Sequence, residues 1–107
     1  MVPLPFFRFP YSAATPEGIA RVNALGFADI EFTTDTNGYL GTAAGMTAQK
    51  AVDRTLRDLA PGQIVQMHVG TSDGSRRALD AEALPRIIDA LHARGYRITD
   101  LRSLLAD

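Results

Sequence analysis

Three side chains able to share acid–base work stand at the ends of three successive apolar runs. Arg8 sits in Phe6-Phe7-Arg8-Phe9, Asp35 follows Phe27–Thr33, and His68 lies near the end of Gln63–Gly70. Arginine is always charged and grips a carboxylate in a planar fork, whereas histidine gives or takes a proton near neutral pH. If the runs are parallel strands, all three ends share one rim, where α/β proteins gather their chemistry. Two readings stay open on spacing: an acid–base site using all three, or a structural Arg8–Asp35 ion pair with His68 as its neighbour.

The segments between these residues must do the positioning. The first strand is expected over Pro5–Phe9, ending in Arg8-Phe9-Pro10-Tyr11. Thr15 then caps a helix with Pro16 at its first position, Glu17 in its first turn, and Gly26 as its stop. Phe27–Thr33 alternates apolar and acidic residues as a second strand, with Asp29 and Glu31 sharing a face that is either solvated or a polar layer of a barrel interior. A glycine-bearing loop, Thr34–Met46, carries Asp35. Thr47 caps a second helix with Ala51, Val52, Thr55, Leu56 and Leu59 on its core face and an exposed Asp53–Arg57 pair.

Pro61-Gly62 marks a turn before Gln63–Gly70, whose apolar residues read as a strand buried on both faces. A polar loop, Gly70–Asp80, precedes a third helix near Leu84–Arg94, with Leu84, Ile87, Ile88 and Leu91 as its stripe and Pro85 close to its first turn. Gly95 ends that helix, Tyr96–Ile98 gives a short fourth strand, and Thr99 caps a terminal helix bearing Leu101, Leu104 and Leu105. The expected architecture is α/β, four strand–helix units in one domain over residues 1–107, with parallel strands and right-handed crossovers, forming either half of a (β/α)8 barrel or a small open sheet.

Composition narrows the function. A net charge of −1 with dispersed arginines gives no reason to expect nucleic acid as a partner. The absence of cysteine rules out disulfides and thiolate metal sites. No run reaches the length of a membrane span, and Met1–Pro10 lacks the pattern of a secretory signal. The Gly38–Gly45 loop lacks the Lys-Ser/Thr ending of a phosphate loop. Of the two histidines, His92 falls on the third helix beside Arg94 and is expected to be solvated.

Three short motifs carry a resemblance. Arg8-Phe9-Pro10-Tyr11 is similar to an Arg-x-Pro-Phe/Tyr motif, Asp35-Thr36-Asn37-Gly38-Tyr39 to an Asp-plus-aromatic motif, and Val65-Gln66-Met67-His68 to a Leu-x-His motif. Ala83-Leu84-Pro85-Arg86-Ile87-Ile88 leading to Arg94-Gly95-Tyr96 matches the same source. In this order they resemble the carboxyl-terminal half of a NodB-homology polysaccharide deacetylase, carbohydrate esterase family four. The resemblance implies the second half of a (β/α) barrel that hydrolyses N- or O-acetyl groups on a glycan. It implies His68 as the acid that protonates the leaving group, Asp35 paired with the Arg8 and His68 network and within hydrogen-bond reach of Arg8, and Arg8 orienting an upstream base Asp. The backbone N–H of Tyr11, after Pro10, would hold the oxyanion, with Tyr39 and Met67 lining the acetyl and sugar groove. Tyr39 stands where Trp is usual, and Gln66 where a Leu usually walls the acetyl methyl.

The family's Asp-Asp and His-Ser/Thr-x-x-His motifs, which supply the base and the protein ligands of a zinc- or cobalt-type metal, have no counterpart here. No metal is therefore assigned to this chain, although the complete family domain uses a divalent one. The expectation is a deacetylase fragment, inactive alone, needing a missing amino-terminal half or self-association. The alternative is a non-catalytic glycan-binding or assembly module. Family members are commonly secreted or bound to the cell envelope.

Overall fold

The computed structural model of the chain describes residues 5–74 and 77–105. The side chains of Leu104 and Leu105, expected on the last helix, and Ser75 of the polar loop lie outside the described residues. The chain divides after Glu31 into two compact units.

The first unit is one strand–helix–strand element. β1 (Phe6–Phe7) leads through a tight turn at Pro10–Ser12 to α1 (Pro16–Ala24), and β2 (Ala28–Asp29) returns parallel to β1, with Phe6 opposite Ala28 and Phe7 opposite Asp29. The start of α1 follows the sequence expectation: the Thr15 hydroxyl accepts the Gly18 N–H at 3.0 Å and Pro16 occupies the first turn. Its end is a Schellman motif. Gly26 takes φ +92°, its N–H bonds the Asn23 carbonyl at 3.0 Å, and the Phe27 N–H reaches Val22 at 2.9 Å.

The second unit repeats the pattern. β3 (Thr34–Asp35), α2 (Ala48–Arg57) and β4 (Val65–Gln66) form a second parallel pair, with Thr34 opposite Val65 and Asp35 opposite Gln66. α3 (Leu79–Ala93) and the short α4 (Leu101–Leu105) follow. The core lies between α2 and α3: Ala51 and Val52 meet Leu79, Ala83, Ile87 and Leu91, with Met46 closing the cluster. Thr55 is fully buried there because its hydroxyl donates back to the Ala51 carbonyl at 3.0 Å, leaving no orphan group.

The strands depart most from expectation. Each described sheet is two-stranded, and the run Phe27–Thr33 holds only β2, while Asp35 belongs to a separate strand instead of a loop. The Ile64 carbonyl explains where β3 starts. It accepts from both the Thr33 and Thr34 N–H groups, at 2.9 and 3.1 Å, a two-against-one arrangement like a bulge. The Thr33 hydroxyl adds a third bond by accepting the Ile64 N–H at 2.9 Å. Gln63–His68 is half-buried and not buried on both faces, and Val69 and Gly70 are exposed. No strand forms at Tyr96–Ile98, since the Tyr96 N–H is spent on the Leu91 carbonyl at 3.0 Å in the Schellman motif that Gly95 ends.

Helix details also shift. α3 begins at Leu79, five residues before Leu84, which puts Pro85 well inside it. The helix tolerates this because Pro85 and Ala81, whose carbonyl loses its partner, both face solvent. Its buried stripe is accordingly Leu79, Asp80, Ala83, Ile87 and Leu91, and Leu84 is exposed. Asp53 accepts from Gln49 at 2.8 Å while Arg57 turns to Asp58 at 3.3 Å, in place of an Asp53–Arg57 pair. At α4 the side chain that accepts an N–H is Asp100, from Ser103 at 2.7 Å, not Thr99. Among the described residues, no helix is long and apolar enough to cross a membrane.

Because Ile87 is 3% exposed at the centre of the α2–α3 contact, Ile87→Ala is expected to cost about 2–5 kcal/mol, through lost transfer energy and a residual cavity. Urea unfolding followed by circular dichroism measures it, with an unchanged slope expected.

Candidate functional site

At the ends of β3 and β4 the second unit gathers a small polar cluster. His68 Nε2 lies 2.9 Å from Asp35 Oδ1, with the two side chains 22% and 18% exposed. The register explains the approach: Asp35 faces Gln66 across the pair, and His68 follows two residues on, back on the same side. Asp35 is held from several directions. Its Oδ1 also accepts the Asn37 N–H at 2.8 Å, its Oδ2 accepts Gln66 Nε2 at 3.2 Å, and Arg54 Nε donates to its backbone carbonyl at 2.9 Å.

Tyr39 completes the cluster. Asn37 adopts a left-handed conformation at φ 63°, turning the chain into a tight helical turn, Gly38–Leu40. That turn brings the Tyr39 ring to 4.8 Å from the His68 imidazole, tilted by 57°, with Tyr39 39% exposed. The Ser72 N–H bonds the Tyr39 carbonyl at 2.6 Å, so the loop after β4 fastens the loop after β3. The result is an imidazole backed by a carboxylate and flanked by an aromatic face open to solvent. Such a group can pass a proton to or from something resting on that face. With Nε2 engaged by Asp35, Nδ1 is the nitrogen left for it.

Met67 does not join this cluster. It packs against the α2–α3 core and lines an apolar cavity of about 410 Å³ with Ile64, Ile88 and Ile98. Arg8, Pro10 and Tyr11 belong to the first unit. Arg8 is exposed just past β1, Pro10 opens the tight turn, and Tyr11 is fully exposed. Tyr11 and Ser12 have φ of 57° and 54°, left-handed values that non-glycine residues adopt at a cost of about 1–3 kcal/mol each. His92 is exposed on α3.

Sequence reasoning missed four supporting residues. Gln66, a lost apolar wall in the motif, donates to Asp35. Arg54 carried no local signal, because only folding brings α2 under β3. Thr36 and Asp80 form a buried bond of 2.7 Å, with Asp80 itself 3% exposed, although its segment read as the end of a loop. Among the described residues, no three His, Cys, Asp or Glu side chains converge as a metal site, so the described donor set does not fit a resident metal ion.

In the first unit, Asp29 Oδ1 is buried without a partner. The Glu31 carboxyl is pushed above its ordinary value of 4.5, first by hydrogen bonding to Asp29, then by the Asp29 charge, then by burial. A raised carboxyl favours the folded state while protonated, and that contribution fades as the pH climbs through the raised value. Glu31→Gln is therefore expected to flatten the fall in thermal midpoint that begins just above pH 4.5, which melts across pH 4–8 would reveal.

No family model matches the chain. Among solved structures it is similar to a peptidoglycan N-acetylglucosamine deacetylase, at 23% identity and a TM-score of 0.79, over 94% of this chain and 44% of that one. It is similar to a CE4 family pseudoenzyme from Bacillus anthracis at 26% identity and 0.75, over 94% of this chain and 32% of that one. It also matches the CE4 domain of a multidomain xylanase from the hindgut metagenome of Trinervitermes trinervoides, at 25% identity and 0.77, over 96% of this chain and 45% of that one. The chain thus spans less than half the length of these structures. Over nearly all its own length it has the fold of the CE4 polysaccharide deacetylases, and the resemblance carried by its three motifs is a likeness of structure as well.

Proposed function

We propose that this chain is the carboxyl-terminal half of a CE4-type deacetylase barrel and supplies its acid–base side, acting on an acetylated glycan. The observation that carries the reading is His68 Nε2 at 2.9 Å from Asp35 Oδ1 beside the Tyr39 ring, within a fold shared with the CE4 domains. In this reading the imidazolium of His68 gives a proton to the leaving amine or alcohol as the bond to the acetyl carbon breaks. Asp35 balances the charge and fixes the ring, and Tyr39 offers a face for a sugar. The motif resemblance gives Tyr11 N–H the part of oxyanion donor and Arg8 that of orienting the base, roles that belong to the completed barrel. The attacking water, the base and the divalent metal implied for a complete domain come from the remainder of the barrel.

By this reading the full chain alone releases no acetate from acetylated chito-oligosaccharides, peptidoglycan or acetylxylan, with or without added zinc or cobalt. Together with a polypeptide carrying the missing metal-binding strands it becomes active, and His68→Ala lowers kcat by about 10²–10⁴-fold. Acetate release by the chain alone, or an active complex indifferent to His68→Ala, overturns the assignment.

A second reading is favoured by the match to a pseudoenzyme: a glycan-binding module without turnover. It differs in one measurable respect, since sugar binding quenches Tyr39 fluorescence while no pairing with metal-binding strands yields acetate.

In either case the chain needs a covering partner. The described sheets have only two strands each, Leu84 and Ile98 are exposed on the lining of the apolar cavity, and Val69 is exposed after β4. Sedimentation equilibrium of the full chain is expected to show self-association, with ANS bound at low concentration. A cooperative, ANS-silent monomer runs against the half-barrel.

A further inference from the structure

Asp80 is the most buried charged residue near the cluster, at 3% exposure, and no motif includes it. It stands in the first turn of α3, where the helix macrodipole favours a carboxylate. Its Oδ2 accepts two short bonds, from the Thr36 hydroxyl at 2.7 Å and from the His68 backbone N–H at 2.7 Å. Thr36 Oγ1 in turn accepts the Gly38 N–H at 3.3 Å. One carboxylate oxygen therefore joins the loop that carries Tyr39, through Gly38 and Thr36, to the residue that carries the imidazole.

Its other oxygen, Oδ1, is buried with no partner, and it occupies the place of the side chain Gly38 lacks. A Cβ on Gly38 would collide with Asp80 Oδ1. Gly38 has an ordinary negative-φ backbone, so glycine is required there for space and not for conformation. The Asp80 carboxylate and the bare Gly38 are two halves of one packing arrangement.

We propose that Asp80 is the positioning residue of the His68 site: it fixes the backbone on both sides of the Tyr39–His68 contact and so holds the imidazole against Asp35. This rests on the reading of His68 as the acid, but its test does not depend on turnover. Broken backbone tethers leave Asp35 and His68 intact as side chains yet free the ring from its single orientation. Removing the carboxylate also uncovers two buried donors, which makes the alanine variant less stable, so stability alone cannot identify the role.

The chain has two histidines, and exposed His92 is an internal reference. Imidazole 15N shifts of the full chain, recorded above the ordinary titration range of histidine, are expected to show His68 held as the Nε2–H tautomer, with His92 averaged between the two. Asp80→Ala is expected to move the His68 shifts to the averaged pattern and speed exchange of its Nε2 proton about tenfold. Asp80→Asn, whose amide oxygen can still accept the His68 N–H, is expected to retain the wild-type signature in part. Gly38→Ala, which displaces the carboxylate without removing it, is expected to reproduce the loss seen in Asp80→Ala. Ile87→Ala, destabilised in the core away from the cluster, should leave His68 untouched. A wild-type His68 signature in folded Asp80→Ala and Gly38→Ala, or an equal loss in Ile87→Ala, overturns the proposal. Absence of deacetylation by a completed barrel would instead count against the acid role alone.

Discussion

The pairing of Thr34 and Asp35 with Val65 and Gln66 is the constraint on which the second unit depends. It is only two residues long on each strand, far too short to fix a site through its ladder alone. Side chains do the rest. Gln63 Nε2 bridges the Thr34 hydroxyl and the Thr55 carbonyl at 2.9 and 3.0 Å, and Arg54 holds the Asp35 carbonyl, so α2 is tied to β3 at both of its residues. From the other side, Asp80 ties α3 to the residue two past β4. The strand pair is thus clamped between the starts and flanks of two helices whose own contact is the apolar core.

That division of labour sets how damage would spread. Burial between α2 and α3 supplies the apolar stabilisation, while the polar ties add little in net energy but are expensive to leave half-made. A core defect lowers the stability of the whole unit without re-aiming any one side chain. Loss of a polar tie does the reverse, because each bridges elements distant in sequence and few other contacts set the orientation of the loop ends.

Legibility followed the same line. Thr15 and Thr47 as caps, and Gly26 and Gly95 as stops, were readable because capping is local chemistry within a few residues. The Asp35–His68 pairing was readable because motif order and the strand-end rule survive errors in strand length. What the sequence concealed was cooperative. The early start of α3 has no side-chain cap, since Ala78 stands at its N-cap, and Pro85 pointed to a later beginning. Asp80 then looked like loop polarity, although its burial is what joins α3 to the site. Gln66 looked like a defect because an isolated motif does not show that Asp35 lies across from it.

The saturation of Asp35 decides which group at the cluster can move a proton. Both its oxygens already accept, from Asn37, Gln66 and His68, and its main-chain carbonyl is taken by Arg54. A carboxylate engaged in this way is an orienting and charge-balancing group with little freedom to swing toward a substrate. His68 has one nitrogen committed and one not, and its backbone is anchored independently through Asp80. In the proposed acid role, proton transfer falls to the free nitrogen of the imidazole, which lies next to the solvent-open ring of Tyr39. The proposed acid role asks three things of this cluster: a proton held in one place, a counter-charge behind it, and an aromatic face on which a sugar ring can lie.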